Sequence, residues 1–140
     1  MSEVQLAVIK VKNEIFGVDA QEIKQIVKYE GVNKAQDTPD YMDGHISLRG
    51  ETIPVINLGV KLGLGEVGAT KNSKILLTEI GEKTVGFAAD DVVELTKYSD
   101  NEIGPVPEVI RRSGNSHVKS IGRKGDDLIC ILDLKSVHAS

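Results

Sequence analysis

Phe16-Gly17-Val18-Asp19-Ala20-Gln21-Glu22-Ile23-Lys24-Gln25-Ile26 returns in the second half of the chain as Val85-Gly86-Phe87-Ala88-Ala89-Asp90-Asp91-Val92-Val93-Glu94-Leu95, with the glycine in register and apolar residues at matching places. A second pair follows in the same order. Gly50-Glu51-Thr52-Ile53-Pro54-Val55-Ile56-Asn57-Leu58 is echoed by Gly125-Asp126-Asp127-Leu128-Ile129-Cys130-Ile131-Leu132-Asp133-Leu134, one residue longer. Two ordered matches indicate a duplicated unit of about half the chain. A unit of roughly 65–70 residues is near the lower limit for an independent core, so the two copies are expected to share one.

The composition fits strands. Valine and isoleucine number thirty against eleven leucines, and β-branched side chains pack well on a pleated surface while losing rotamer freedom in helices. Residues 4–12 and 15–19 read as a hairpin, 45–48 and 52–58 as a second, 74–80 and 84–89 as a third, and 117–123 with 127–134 as a fourth. Between them, 20–28 is open between a short helix and an edge strand. Residues 30–43 read as a surface loop through Thr38-Pro39, 59–68 as a glycine-rich connector, and the stretch past 95 as a loop through Pro105 and Pro107. Pro54 points to an edge or a barrel rim. Many short strands with this spacing predict an all-β fold with short helices, built as two pseudo-repeated small β-barrels sharing a core. The approximate subdomains are 15–68 and 73–134 of a single domain 1–140, and the terminal strands are open to exchange between the barrels.

Charge and motifs exclude several functions. A formal net charge of −4 with scattered basic residues offers no footprint for a phosphate backbone, so nucleic acid is not an expected partner. No apolar run approaches the ~20 residues of a membrane helix, so direct membrane insertion is not expected. Residues 1–20 carry Glu3, Glu14 and Asp19 and lack the pattern of a signal peptide. One cysteine permits no internal disulfide and fits a cytoplasmic location. His45, His117 and His138 lie far apart without metal-ligand spacing. The pairs Asp90-Asp91 and Asp126-Asp127 would point to opposite faces of a strand, Cys130 alternates with apolar Leu128 and Leu132, and Gly63 and Gly65 lack a P-loop lysine. No active site, metal site or cofactor is expected. A small-ligand or metal-dependent barrel is the remote alternative.

What remains is a surface. Ile23, Ile26 and Val27, with Val92, Val93 and Leu95, are more apolar side chains than one buried face of such short segments can take. A groove between the barrels, lined by some of them, would suit an amphipathic helical partner.

Tyr41-Met42-Asp43-Gly44-His45-Ile46-Ser47-Leu48-Arg49-Gly50-Glu51-Thr52-Ile53-Pro54-Val55-Ile56-Asn57-Leu58 resembles the signature of the CheW family of chemotaxis coupling proteins. Further agreement comes from Phe16-Gly17-Val18-Asp19, Val85-Gly86-Phe87, Ile103-Gly104-Pro105-Val106-Pro107 and Leu128-Ile129-Cys130-Ile131-Leu132-Asp133, so the resemblance covers nearly the whole chain. It implies two five-stranded barrels and a non-enzymatic adaptor. The implied partners are the helical-hairpin tips of methyl-accepting chemoreceptors and the regulatory domain of the chemotaxis histidine kinase CheA, met in membrane-associated receptor arrays. A coupling module of another two-component system is the alternative. The resemblance, with the apolar groove, places receptor binding on Ile23, Ile26, Val27, Arg49, Val92 and Val93, and kinase binding on Met42, Gly44, Ile46 and Pro105. Exposed strand edges leave weak self-association open.

Four positions depart from the family pattern. Gln25 stands where a glutamate often can pair with the arginine represented by Arg49, and offers a hydrogen-bond acceptor instead. Ser47 replaces a common asparagine, Asn57 an aspartate and Gly59 an arginine.

Overall fold

The computed structural model describes residues 2–30, 32–33, 41–109 and 117–139. The expected loop segment around Thr38-Pro39 lies outside these residues, as does the stretch 110–116. Eleven strands are described: β1 (Glu3–Val11), β2 (Glu14–Asp19), β3 (Gln25–Lys28), β4 (Met42–Leu48), β5 (Glu51–Asn57), β6 (Lys74–Ile80), β7 (Lys83–Ala89), β8 (Asp91–Ser99), β9 (Ile103–Gly104), β10 (Val118–Lys124) and β11 (Asp127–Leu132). Two short helices follow β5 and β11, α1 (Leu58–Lys61) and α2 (Leu134–Ala139). The open segment 20–28 resolves into a 3-10 turn, Ala20–Glu22, capped by Asp19, and the edge strand β3. The connector expected at 59–68 opens with α1, because the Asn57 side chain accepts a hydrogen bond from the Val60 amide at 3.3 Å and caps it.

The strands form two sheets, ordered β8-β1-β2-β11-β10-β9 and β3-β6-β7-β5-β4. The orders are one plan used twice. In each sheet a hairpin from one repeat, β1-β2 or β6-β7, is flanked by strands of the other repeat: β8, β11, β10 and β9 in the first sheet, β3, β5 and β4 in the second. Each hairpin meets the other repeat on both sides, through a parallel pair, β2 with β11 and β7 with β5, and an antiparallel pair, β1 with β8 and β6 with β3. Gly17 lies opposite Ile131 in the first and Gly86 opposite Val55 in the second, which are matching places of the two sequence repeats. Neither sheet therefore coincides with 15–68 or 73–134. The exchange involves the leading hairpin of each repeat.

Each sheet closes on itself. The chain leaving β8 turns through Asp100–Glu102 into β9, which pairs with the far strand β10, Gly104 opposite Ile121. The chain leaving β3 reaches Asn33, which exchanges two backbone hydrogen bonds with His45 of the far strand β4, at 2.8 and 3.0 Å. The results are two small barrels. β5 is an inner strand, and Pro54 is tolerated because its pairing with β7 begins only at Val55.

Alternation divides the apolar residues. Leu6 and Val8 of β1 join Tyr98, Ile129 and Ile131 inside the first barrel. Ile9 and Val11 point the other way and join Phe87, Leu132, Leu134, Val137 and the residues of the second barrel in the larger cluster. This is why Leu6 through Ile9 are all buried and read as a continuous apolar run. The paired glycines belong to the barrel interiors. A Cβ on Gly86 would stand 2.7 Å from Ile75 Cγ2, and one on Gly17 3.2 Å from Leu6 Cδ1, two equivalent neighbours. Gly59, the departure from a family arginine, has a separate cause: a Cβ there would fall 1.9 Å from the Gly65 carbonyl oxygen, where the connector folds back over α1.

Candidate functional site

β3 and β8 end their sheets and are counterparts. Gln25, Ile26 and Val27 lie opposite Leu77, Leu76 and Ile75, as Glu94, Leu95 and Thr96 lie opposite Val8, Ala7 and Leu6. Ile26 and Leu95 thus occupy one position in the two barrels. Both are on the solvent side, 38% and 58% exposed, and Val93 beside a register shift in β8 is 51% exposed. Repetition of an exposed apolar residue at equivalent edge positions is not what a fold needs for its own core.

The six residues expected in the groove divide in two. Ile23, Val27 and Val92 are half-buried and pack against the larger core cluster. Ile26 and Val93 are exposed on different sheets, and Arg49 is exposed in the β4-β5 turn. That turn holds Arg49 at φ 51° and Gly50 at φ 81°, both left-handed as a two-residue hairpin of type I′ requires. Among the described residues no hydrogen bond joins Gln25 to Arg49. Of the residues expected to face the kinase, Ile46 is 6% exposed and belongs to the core, Gly44 is buried, and Met42 packs against the core. Pro105, just past β9, is exposed.

The Met42–Gly44 segment conceals a group that the sequence did not reveal. A register shift between Met42 and Gly44 removes Asp43 from the ladder and turns it inward, where it is 6% exposed. It is the buried carboxylate among the described residues. The Tyr29 hydroxyl donates to Asp43 Oδ2 at 2.6 Å, and Asn57 Nδ2 donates to both carboxylate oxygens at 3.1 Å and to the Val67 carbonyl at 2.9 Å. Asn57 Oδ1 accepts from the Val67 amide at 3.0 Å. Burial, then the bond to Asp43, raises the Tyr29 phenol well above its ordinary range, so it stays a donor. The available signal was Asn57 itself, an amide where the family commonly has a carboxylate.

The remaining candidates do not assemble chemistry. Cys130 lines a cleft of about 190 Å³ with Phe16, Leu62, Leu64 and Leu132, and burial, helped by Glu14, pushes its thiol upward, away from a reactive thiolate. Asp90 accepts from the Lys12 amide and ties the crossing between β7 and β8 to the β1-β2 turn. Among the described residues no group of three or more histidine, cysteine or acidic side chains is placed to hold a metal ion. Among the described residues no helix is long and apolar enough to cross a membrane.

The fold is a pair of small barrels with strands from both repeats and exposed apolar residues at equivalent edge positions. The CheW-like domain model matches residues 5–140, and the chain belongs to that family, whose role is scaffolding rather than catalysis. The chemotaxis protein CheW of Klebsiella aerogenes is 25% identical over 136 residues, covering 97% of this chain and 82% of that protein. The chemotaxis protein CheW of Helicobacter pylori is 29% identical over 127 residues, covering 91% and 76%. The crystal structure of the scaffolding protein TtCheW from Thermoanaerobacter tengcongensis superposes with a TM-score of 0.86 at 30% identity, covering 98% of this chain and 88% of that one.

Proposed function

We propose that this protein couples methyl-accepting chemoreceptor tips to the regulatory domain of the chemotaxis histidine kinase CheA, in the cytoplasm at membrane-associated arrays. The observation that carries this reading is the pair Ile26 and Leu95, exposed apolar residues at equivalent places on two edge strands of a scaffold-family fold. An amphipathic helical hairpin offers apolar side chains at helical spacing to such positions. Arg49, in the β4-β5 turn, adds a charged contact, and Val93 adds a second exposed apolar side chain to β8. Ile23, Val27 and Val92 support these edge positions from the core side. For the kinase, Pro105 and the backbone about Met42–Ile46 are the proposed contacts.

Calorimetric titration with the kinase regulatory domain and with a soluble receptor-tip hairpin tests the reading. Ile26→Asp and Leu95→Asp should each weaken hairpin binding at least tenfold, since buried apolar anchors carry most of an interface's energy. Both positions are exposed, so the melting temperature should stay within about 2 °C, as expected of surface substitutions. Undiminished hairpin affinity in both variants would refute the placement, and binding of neither partner by the unmodified protein would refute the function.

A further inference from the structure

We infer that the Tyr29–Asp43 hydrogen bond, backed by Asn57, is a latch at the seam of the second barrel that couples the β3 edge to the β4 bulge. The inference rests on the reading of β3 as a receptor-docking strand and β4 as a kinase-docking one. In the sheet order these strands stand at opposite ends, β3-β6-β7-β5-β4, so the ladder between them passes through three others. The seam is the short route. Tyr29 directly follows β3, and its hydroxyl crosses to Asp43 in β4 at 2.6 Å. Two backbone bonds between Asn33 and His45 lie beside it.

The cost of the arrangement argues that it is specific. A buried carboxylate held by a phenol and an amide is a poor way to gain stability, because desolvation offsets most of what the bonds return. It does define geometry. All three bonds are donated to Asp43, and its position outside the β4 ladder leaves that segment's register dependent on them. The other barrel closes differently: its tyrosine at the equivalent place, Tyr98, is covered by Lys124, whose ammonium lies 4.5 Å from the ring centre and donates to the Lys97 carbonyl. Only the second barrel carries a buried acid at its seam among the described residues. A partner that shifts β3 therefore moves Tyr29, and through Asp43 the bulge follows.

Tyr29→Phe removes the hydroxyl and leaves the ring. Amide hydrogen exchange should become at least tenfold faster at Asn33 and His45 than any change at Leu6 or Phe87, which report global opening. Equal changes at all four amides would overturn the latch. In the unmodified protein, saturating receptor hairpin should alter affinity for the kinase domain by a measurable factor, and Tyr29→Phe should bring that factor to one. Retention of the full factor in the variant would overturn the coupling. If the unmodified protein bound neither partner, the functional reading and the coupling would fail together, and the exchange result alone would decide the latch. Should Tyr29→Phe fold poorly, Asp43→Ser, whose shorter side chain withdraws the acceptor from the Tyr29 hydroxyl, replaces it, with the same expected loss of the factor and the same overturning result.

Discussion

The Thr78 hydroxyl is buried in β6 without a hydrogen-bond partner among the described residues. Its counterpart in the other repeat is Ile9, fully buried in the shared core, so the position is built for an apolar side chain. Thr78→Val keeps the shape and removes the orphan oxygen. It should raise stability by about 1 kcal/mol, the lower end of what an unsatisfied buried hydroxyl costs, read as an increased denaturant midpoint with unchanged slope. His117 makes an opposite kind of demand. Burial, and then the positive charge of Lys61, hold its imidazole below the ordinary value, against the pull of Asp133. The unfolded chain therefore binds the proton more readily. Stability from this group is complete above the unfolded value, near about 6.5, and is lost as pH falls from there toward the folded value. His117→Gln should flatten that part of the stability profile, which urea titrations at pH 7 and pH 5 would measure.

At the scale of elements, α1 and the connector after it depend on one side chain. Asn57 caps α1, binds both backbone groups of Val67 and donates to Asp43. Asn57→Asp would restore the family's common residue and place two carboxylates together in a buried site. It should cost roughly 3 kcal/mol, the scale of an uncompensated buried charge, by equilibrium unfolding. Adding Asp43→Asn should recover much of the loss, because it exchanges donor and acceptor instead of opposing charges. The short strand β3 shows what local pattern can and cannot supply. Ile23, Ile26 and Val27 fit helical spacing as well as a strand, and four residues are too few to decide between them. Pairing with β6 decides, since it satisfies the backbone of Gln25–Lys28 and places Ile26 outward.

At the scale of the molecule, exchange of strands binds the halves together. The hairpin β1-β2 has its parallel neighbour in the second repeat and β6-β7 has its own in the first. Residues 1–70 and 71–140 expressed separately should each lack cooperative unfolding, and mixing them should restore a single transition seen by near-ultraviolet circular dichroism. Independent folding of either half would contradict the exchanged arrangement. The intact chain should unfold in one step, because the larger core cluster contains side chains from both barrels.

Duplication, strand content and the adaptor family were legible in the chain itself. They rest on local patterns: paired glycines, alternating apolar residues and a nearly full-length motif. The residues proposed for receptor contact could be marked only as a set, because periodicity shows Ile23, Ile26, Val92 and Val93 as apolar without saying which face outward. The tertiary structure decided that division, along with the exchange of strands and the burial of Asp43. The physical reason is common to all three. Strand pairing and burial depend on what the opposing segment supplies, and here that segment lies in the other half of the chain or across a barrel seam.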